Sequence, residues 1–151
     1  MAIGLDIGEI SRCTCPHARR ATRRLTQIYD RALRPIGLTS NQFGLLVILY
    51  GHSLAAGRGL AIGALAERLG MDPTTLNRNL RPLSVRGLVA SAASPEDRRV
   101  RVVYITRKGL ARLRRAVPPW RRTQAGIREA LGDKTLVTLN DLLDLTAKIT
   151  K

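Results

Sequence analysis

A helix stop and a helix start stand almost back to back in this chain, at Gly70, Met71, Asp72 and Pro73. Glycine just past a helix takes the left-handed turn that closes it. Asp is a preferred N-cap, and proline suits the first helical position because its missing amide is one that a helix leaves unpaired anyway. Two helices are therefore predicted to meet across about three residues. Upstream, Ile62, Leu65, Ala66 and Leu69 fall at helical spacing. Downstream, Leu76, Leu80 and Leu83 recur at i, i+4 and i+7 as an inward face. Thr74, Thr75, Asn77, Arg78 and Arg81 lie off that stripe, and Gly87 ends the helix. Pro82, late in it, removes one backbone bond and predicts a kink.

A β-hairpin is predicted next. Residues 88–93 and 100–105 are strand-like, joined by the charged, proline-containing turn at 94–99. Arg98 and Arg99 sit at its tip, with Arg101 just behind. Before the paired helices, Thr39 and Gln42 form a capping box, and residues 43–50 are apolar nearly all round, which marks a central buried helix. Residues 51–61, with Gly57 and Gly59, read as a loop. An earlier helix starts at Pro16, with Ala18, Ala21, Leu25, Ile28, Ala32 and Leu33 inward and arginines on its other faces. Pro35 and Gly37 stop it, and residues 1–11 read as a loose arm. Thr106 caps a helix with Leu110, Leu113 and Val117 inward. Pro118 and Pro119 are expected to break or bend it, and Trp120 to restart it. A last helix carries Leu136, Leu139, Leu142, Leu143 and Ile149. The fold class is mainly α with a small β-hairpin wing: a winged helix-turn-helix, dimeric.

Charge sets the partner. The 151 residues hold 26 Lys+Arg against 11 Asp+Glu, a net of +15. It is concentrated: residues 12–122 carry 22 basic and 5 acidic side chains, whereas residues 123–151 carry 4 of each. A field of that size favours polyanions, nucleic acid ahead of an acidic membrane surface. The balanced C-terminal helix, with its leucine stripe, reads instead as a dimer surface. Aromatics are scarce, only Tyr29, Phe43, Tyr50, Tyr104 and Trp120, which argues against single-strand binders that stack bases. The longest apolar run falls far short of the roughly 20 residues that span a bilayer. Residues 1–9 carry Asp6 and Glu9 and no basic stretch, unlike a secretory signal. A cytoplasmic location, with no membrane partner, is expected. Two histidines and no nucleophile–base arrangement make an enzyme unexpected, and no cofactor is called for.

A helix about 10–12 Å across fits a major groove about 12 Å wide. The second helix of such a pair presents its first residues to base edges. Arg78 can pair with guanine and Asn77 with adenine. The hydroxyls of Thr74 and Thr75, with the helix N-terminus, can hold a phosphate. Arg81 either joins them or only caps its helix. Arg98 or Arg99 would reach a minor groove, and Arg101 behind them is a further DNA-binding candidate. The arginines of the first helix read more readily as a solvated face than as a DNA contact.

These residues resemble a family. Leu38 to Phe43 with Leu45 and Leu46, Asp72 to Arg78 with Leu83, Gly87, Leu88 and Val89, and Asp97 to Arg99 with Ile105, Thr106 and Gly109 are together similar to MarR-type (multiple antibiotic resistance regulator) transcriptional regulators. The resemblance covers almost the whole chain, from about Cys15 to the end, and residues 1–151 read as a single winged-helix chain. It implies a DNA-binding lobe at about 39–106 and a helical dimerisation region at about 14–36 and 107–151. It also implies a homodimer on a pseudo-palindromic double-stranded operator, usually a repressor, released by a small aromatic or anionic effector. By the same resemblance Asp97 pairs with a nearby arginine to set the wing, and Arg99 enters the minor groove. Tyr29, Phe43 and Trp120 are candidates for the effector pocket, against the plainer reading of core or interface.

Cys13 and Cys15, with His17 nearby, leave a second reading open. Zinc normally takes four ligands, and only His52 remains as a further imidazole, so no metal is expected. The two thiols are either reduced residues at a helix start or a redox sensor assisted by Arg19 and Arg20. A third reading is a sequence-indifferent architectural DNA-binding protein driven by charge alone; a membrane-surface protein stands behind it.

Overall fold

A computed structural model describes residues 6–149, and the first five residues of the expected arm lie outside them. In chain order the elements are α1 (Ile7–Ser11), α2 (Thr14–Leu33), a 3-10 turn (Arg34–Ile36), α3 (Ser40–Ala56), β1 (Leu60–Ala61), α4 (Ile62–Leu69), α5 (Pro73–Val85), β2 (Val89–Ala93), β3 (Arg101–Ile105), α6 (Arg107–Leu131) and α7 (Asp133–Ala147). α1 replaces the last part of the loose arm with one helical turn, and α2 starts two residues before Pro16.

The punctuation works as its chemistry predicts. Gly70 closes α4 at φ +57°, and the Met71 amide donates to the Ala66 carbonyl at 3.0 Å. Asp72 then accepts from the Thr75 amide at 2.9 Å, and Pro73 opens α5. Thr39 and Gln42 form the reciprocal capping box. The core gathers leucines from every helix of the lobe: Leu45 and Leu46 of α3, Leu65 of α4, and Leu76, Leu80 and Leu83 of α5 are buried, joined by Leu88, Val89 and Val103 of the sheet region.

Four expectations change. Residues 51–56 continue α3 rather than forming a loop, and Gly57 ends that helix at φ +64°. A two-residue strand, β1, adds to the hairpin, so the sheet is three-stranded in the order β1-β3-β2, all antiparallel. So short a strand has no periodicity to read; only its partner creates it. α6 runs unbroken through Pro118 and Pro119 to Leu131. The prolines deprive the carbonyls of Arg114 and Arg115 of their helical donors, but those residues are exposed, where water takes such groups. Buried Leu113 and Ala116 keep the helix seated on the core. α5 runs past Pro82 to Val85, in line with a helix that Gly87 ends.

The fourth change concerns the helices at the chain's two ends. Of the face expected inward on α2, only Leu33 is buried, and Ala18 and Ala21 are exposed. On α7 only Leu136 is buried, while Leu142 and Leu143 are 55% and 46% exposed. Both apolar faces extend beyond anything this single chain offers to cover them.

Candidate nucleic-acid interface

α5 presents its polar side outward. Thr74, Asn77, Arg78 and Arg81 are exposed, whereas Thr75 is half-buried. The helix N-terminus is occupied from within: the Asp72 carboxylate takes the Thr75 amide, and hydrogen bonding from the Thr75 side chain first, then from that amide, holds its pKa below the ordinary value of 3.8. The expected phosphate cradle is thus filled by the chain's own carboxylate, leaving the Thr74 side chain as its outward group. Asn79, which sequence reasoning passed over, donates to the Thr75 carbonyl at 2.9 Å and steadies this first turn.

The wing places its arginines differently from one another. Arg99 forks onto Asp97, with Nε to Oδ1 and Nη2 to Oδ2 each at 3.1 Å, and its amide also donates to Oδ1 at 2.9 Å. These bonds, the side-chain fork first, push the Asp97 carboxyl below its ordinary 3.8. A depressed carboxylate keeps its pairing above that ordinary value and loses it only as pH falls through the still lower folded one. The fork is therefore intact across neutral pH. The Arg99 side chain nevertheless stays 92% exposed, so its remaining N–H groups are free to meet a groove. Arg98 has no hydrogen bond or ion pair among the described residues. Arg101 reaches back across the hairpin, and its Nη2 donates to Ser91 Oγ at 2.8 Å. Arg58, outside the hairpin, pairs with Glu96; no sequence signal marked that contact.

Helix and wing are continuous. A groove of about 290 Å³ between α5 and the sheet is lined by Asn77 and Arg81 on one side and Ser91 and Val103 on the other. Ser91 is the residue that holds Arg101, so the polar side of α5 leads directly onto the base of the wing.

The aromatic candidates divide. Phe43 of α3 and Trp120 of α6 stack, with centroids 6.0 Å apart and planes 26° from parallel. They wall a cavity of about 320 Å³ with Val47, Tyr50, Leu113 and Val117, and Arg114 is its one charged lining residue. Tyr29 does not line it; its hydroxyl donates to Gln124 Oε1, joining α2 to α6, and burial pushes its pKa up from 10.0. Cys13 and Cys15 are free and exposed, at the N-cap and second position of α2. No helix among the described residues is long and apolar enough to cross a membrane.

The MarR family model matches residues 36–100. Over almost the whole chain, the M. tuberculosis transcriptional regulator MosR is 41% identical, covering 89% of this chain and 93% of that one, with a TM-score of 0.74. This chain belongs to the MarR family. MosR is also solved in complex with DNA, at a TM-score of 0.75 over the same shares of the two chains. The repressor CouR, bound to a 23-mer DNA duplex, is 30% identical over 95% of this chain and 99% of that one, with a TM-score of 0.79. CouR from Rhodococcus jostii RHA1 bound to p-coumaroyl-CoA superposes at 0.77, with 23% identity over 93% of this chain and 96% of that one. Comparison with curated proteins finds no match.

The MarR family is one of transcriptional regulators, and the winged helix described above is its fold. The family match covers the lobe that holds α3 to the wing tip. The helices outside it, α2, α6 and α7, supply the cavity's Trp120 wall and the uncovered apolar faces.

Proposed function

We propose that this MarR-family regulator binds a pseudo-palindromic double-stranded operator as a homodimer, represses transcription from it, and is released by a small aromatic or anionic effector. The reading takes residues 39–106 as the DNA-binding lobe and 14–36 with 107–151 as the dimerisation region, and the cytoplasm as its place of action. The observation that carries it is the exposed polar side of α5 running without a break into the arginine-bearing wing. Thr74, Asn77, Arg78 and Arg81 read the major groove, with Thr75 serving through its capped amide. Arg98 and Arg99 reach the flanking minor groove, Asp97 aims Arg99, and Arg101 buttresses the hairpin. The effector occupies the cavity between Phe43 and Trp120, where apolar walls take a ring and Arg114 takes a negative charge. Tyr29 acts as an interhelical strut through Gln124. Effector binding releases DNA by favouring a dimer geometry whose two α5 helices no longer match half-sites about 34–36 Å apart.

Fluorescence anisotropy with the DNA upstream of the protein's own gene, against a scrambled duplex, tests this. A specificity ratio of about 10³ or more supports an operator binder; equal affinities favour the sequence-indifferent architectural reading. Arg78→Ala is expected to cost about 1–3 kcal/mol and relax discrimination at one base step. Arg99→Ala is expected to weaken binding most where the flanks are A·T-rich. Parental affinity in either variant would remove that residue from the interface.

A redox-sensing regulator is the second reading, favoured by two exposed thiols two residues apart at the start of α2. Peroxide would take two electrons and two protons from a cysteine pair, joined between copies, and leave as water. Operator affinity unchanged by peroxide, or a response that survives Cys13→Ser with Cys15→Ser, excludes it.

A further inference from the structure

The end of α5 is fastened to the rest of the chain by side chains as much as by its own backbone. Pro82 has no amide, so the Arg78 carbonyl four residues back lacks its helical donor. One residue past the helix, Arg86 Nη1 donates to the Gly37 carbonyl at 2.6 Å. Arg112 Nη1, from α6, donates to the neighbouring Ile36 carbonyl, also at 2.6 Å. The two guanidinium groups crowd the same short stretch: a Cβ at Gly37 would lie 3.1 Å from Arg86 Nη2 and 3.5 Å from Arg112 Nη1. Gly37 itself stands at φ +69°, ending the 3-10 turn that follows α2. A second fastening lies just beyond, where Thr106 Oγ1, the N-cap of α6, donates to the Gly87 carbonyl at 2.7 Å.

The clasp thus joins three elements with separate tasks. Arg86 caps the C-terminal end of the helix assigned to the major groove, Arg112 belongs to a helix that also walls the Phe43–Trp120 cavity, and the two carbonyls belong to the turn between α2 and α3. Charged donors make stronger hydrogen bonds than neutral ones, and the planar guanidinium is pre-organised to hold its direction. We propose that Arg86 and Arg112 are positioning residues, which lock α5 to the dimerisation helices through the carbonyls of Ile36 and Gly37 and so set the half-site separation this protein accepts. Neither touches a base. Their role is to transmit the separation of the two dimerisation halves to the separation of the two α5 helices, and it rests on the homodimeric, two-half-site reading above.

One base pair changes half-site separation by about 3.4 Å and turns one site by about a tenth of a helical turn. A loosened clasp is therefore legible as tolerance of the wrong spacing. The probe is an operator that the parental protein selects from a random duplex library. It is rebuilt with its half-sites at the selected separation and at one and two base pairs more or less. For the parent, affinity is expected to peak at one separation and fall on the order of tenfold on either side. In Arg86→Gln and in Arg112→Gln that preference is expected to shrink by about threefold or more, while base preference within each half-site stays parental. Arg86→Lys and Arg112→Lys keep a charged donor and are expected to fall between, and they carry the test should a Gln variant lose its helical circular dichroism. Parental spacing profiles in folded variants overturn the clasp alone, whatever happens to thermal stability. A parent with no preferred separation overturns the two-half-site reading, and the clasp's role with it.

Discussion

Raising monovalent salt from about 50 to about 200 mM is expected to lower DNA affinity about a thousandfold, because a protein that neutralises six or more phosphates releases as many counterions. Arg78, Arg81, Arg98 and Arg99 are exposed on each chain, and a dimer doubles them, which brings the count into that range. Arg98 is the informative member, since it has no partner among the described residues. Arg98→Ala is expected to reduce the slope of log affinity against log salt by about one per chain, whereas Glu129→Gln, on the far part of α6, leaves the slope unchanged. Anisotropy titrations at five salt concentrations measure it. A flat salt response would remove phosphate contacts as the main source of affinity, and with them the argument from net charge.

The second large effect is on stability. Gly109→Ala is expected to cost about 3 kcal/mol or more, at the upper end of overpacking penalties. A Cβ there would lie 2.0 Å from the Leu88 carbonyl oxygen and 2.8 Å from Ile105 Cγ1. The first turn of α6 lies against the start of β2 and the end of β3, so backbone, not a flexible side chain, would have to give way. At about 2–4 °C per kcal/mol for a chain of this size, the thermal midpoint falls by roughly 10 °C. Gly126, on the same helix, is the control. A Cβ there meets nothing within 4 Å, so Gly126→Ala is expected to stabilise by about 0.5–1 kcal/mol through helix propensity alone. Urea titrations of both variants check the contrast. Equal shifts of the same sign would show that packing against Leu88 does not govern position 109.

Much of the fold and part of the site were legible as local chemistry. The Gly70–Pro73 punctuation, the Thr39–Gln42 box and the Leu76–Leu80–Leu83 stripe each depend on residues within one or two turns of each other, and each stands as expected. Asp97 and Arg99 are two residues apart, so their fork is also local. What escaped sequence reasoning depends on distant partners. β1 exists because Leu60 and Ala61 meet Val103 and Val102 across about forty residues of chain. The Phe43–Trp120 stack, the Tyr29–Gln124 bond and the Arg58–Glu96 pair join elements whose sequences carry no mark of one another. Two prolines within α6 read as a break or a bend, yet α6 is one continuous helix, and the burial of Leu113 and Ala116 outweighs the lost backbone bonds.

Local residue chemistry set the start of α3, the junction of α4 with α5, the inward stripe of α5 and the order of elements that makes a winged helix, and the net charge of +15 favours a polyanion. These follow from residue chemistry and short periodicities, which need no knowledge of the rest of the chain. Packing between distant parts of the chain decided that β1 joins the sheet, that Phe43 stacks on Trp120, and that Arg86 and Arg112 converge on one turn. Each of those depends on which groups become neighbours once the leucine core closes, and side chains compete for partners only after packing has brought them within hydrogen-bonding reach.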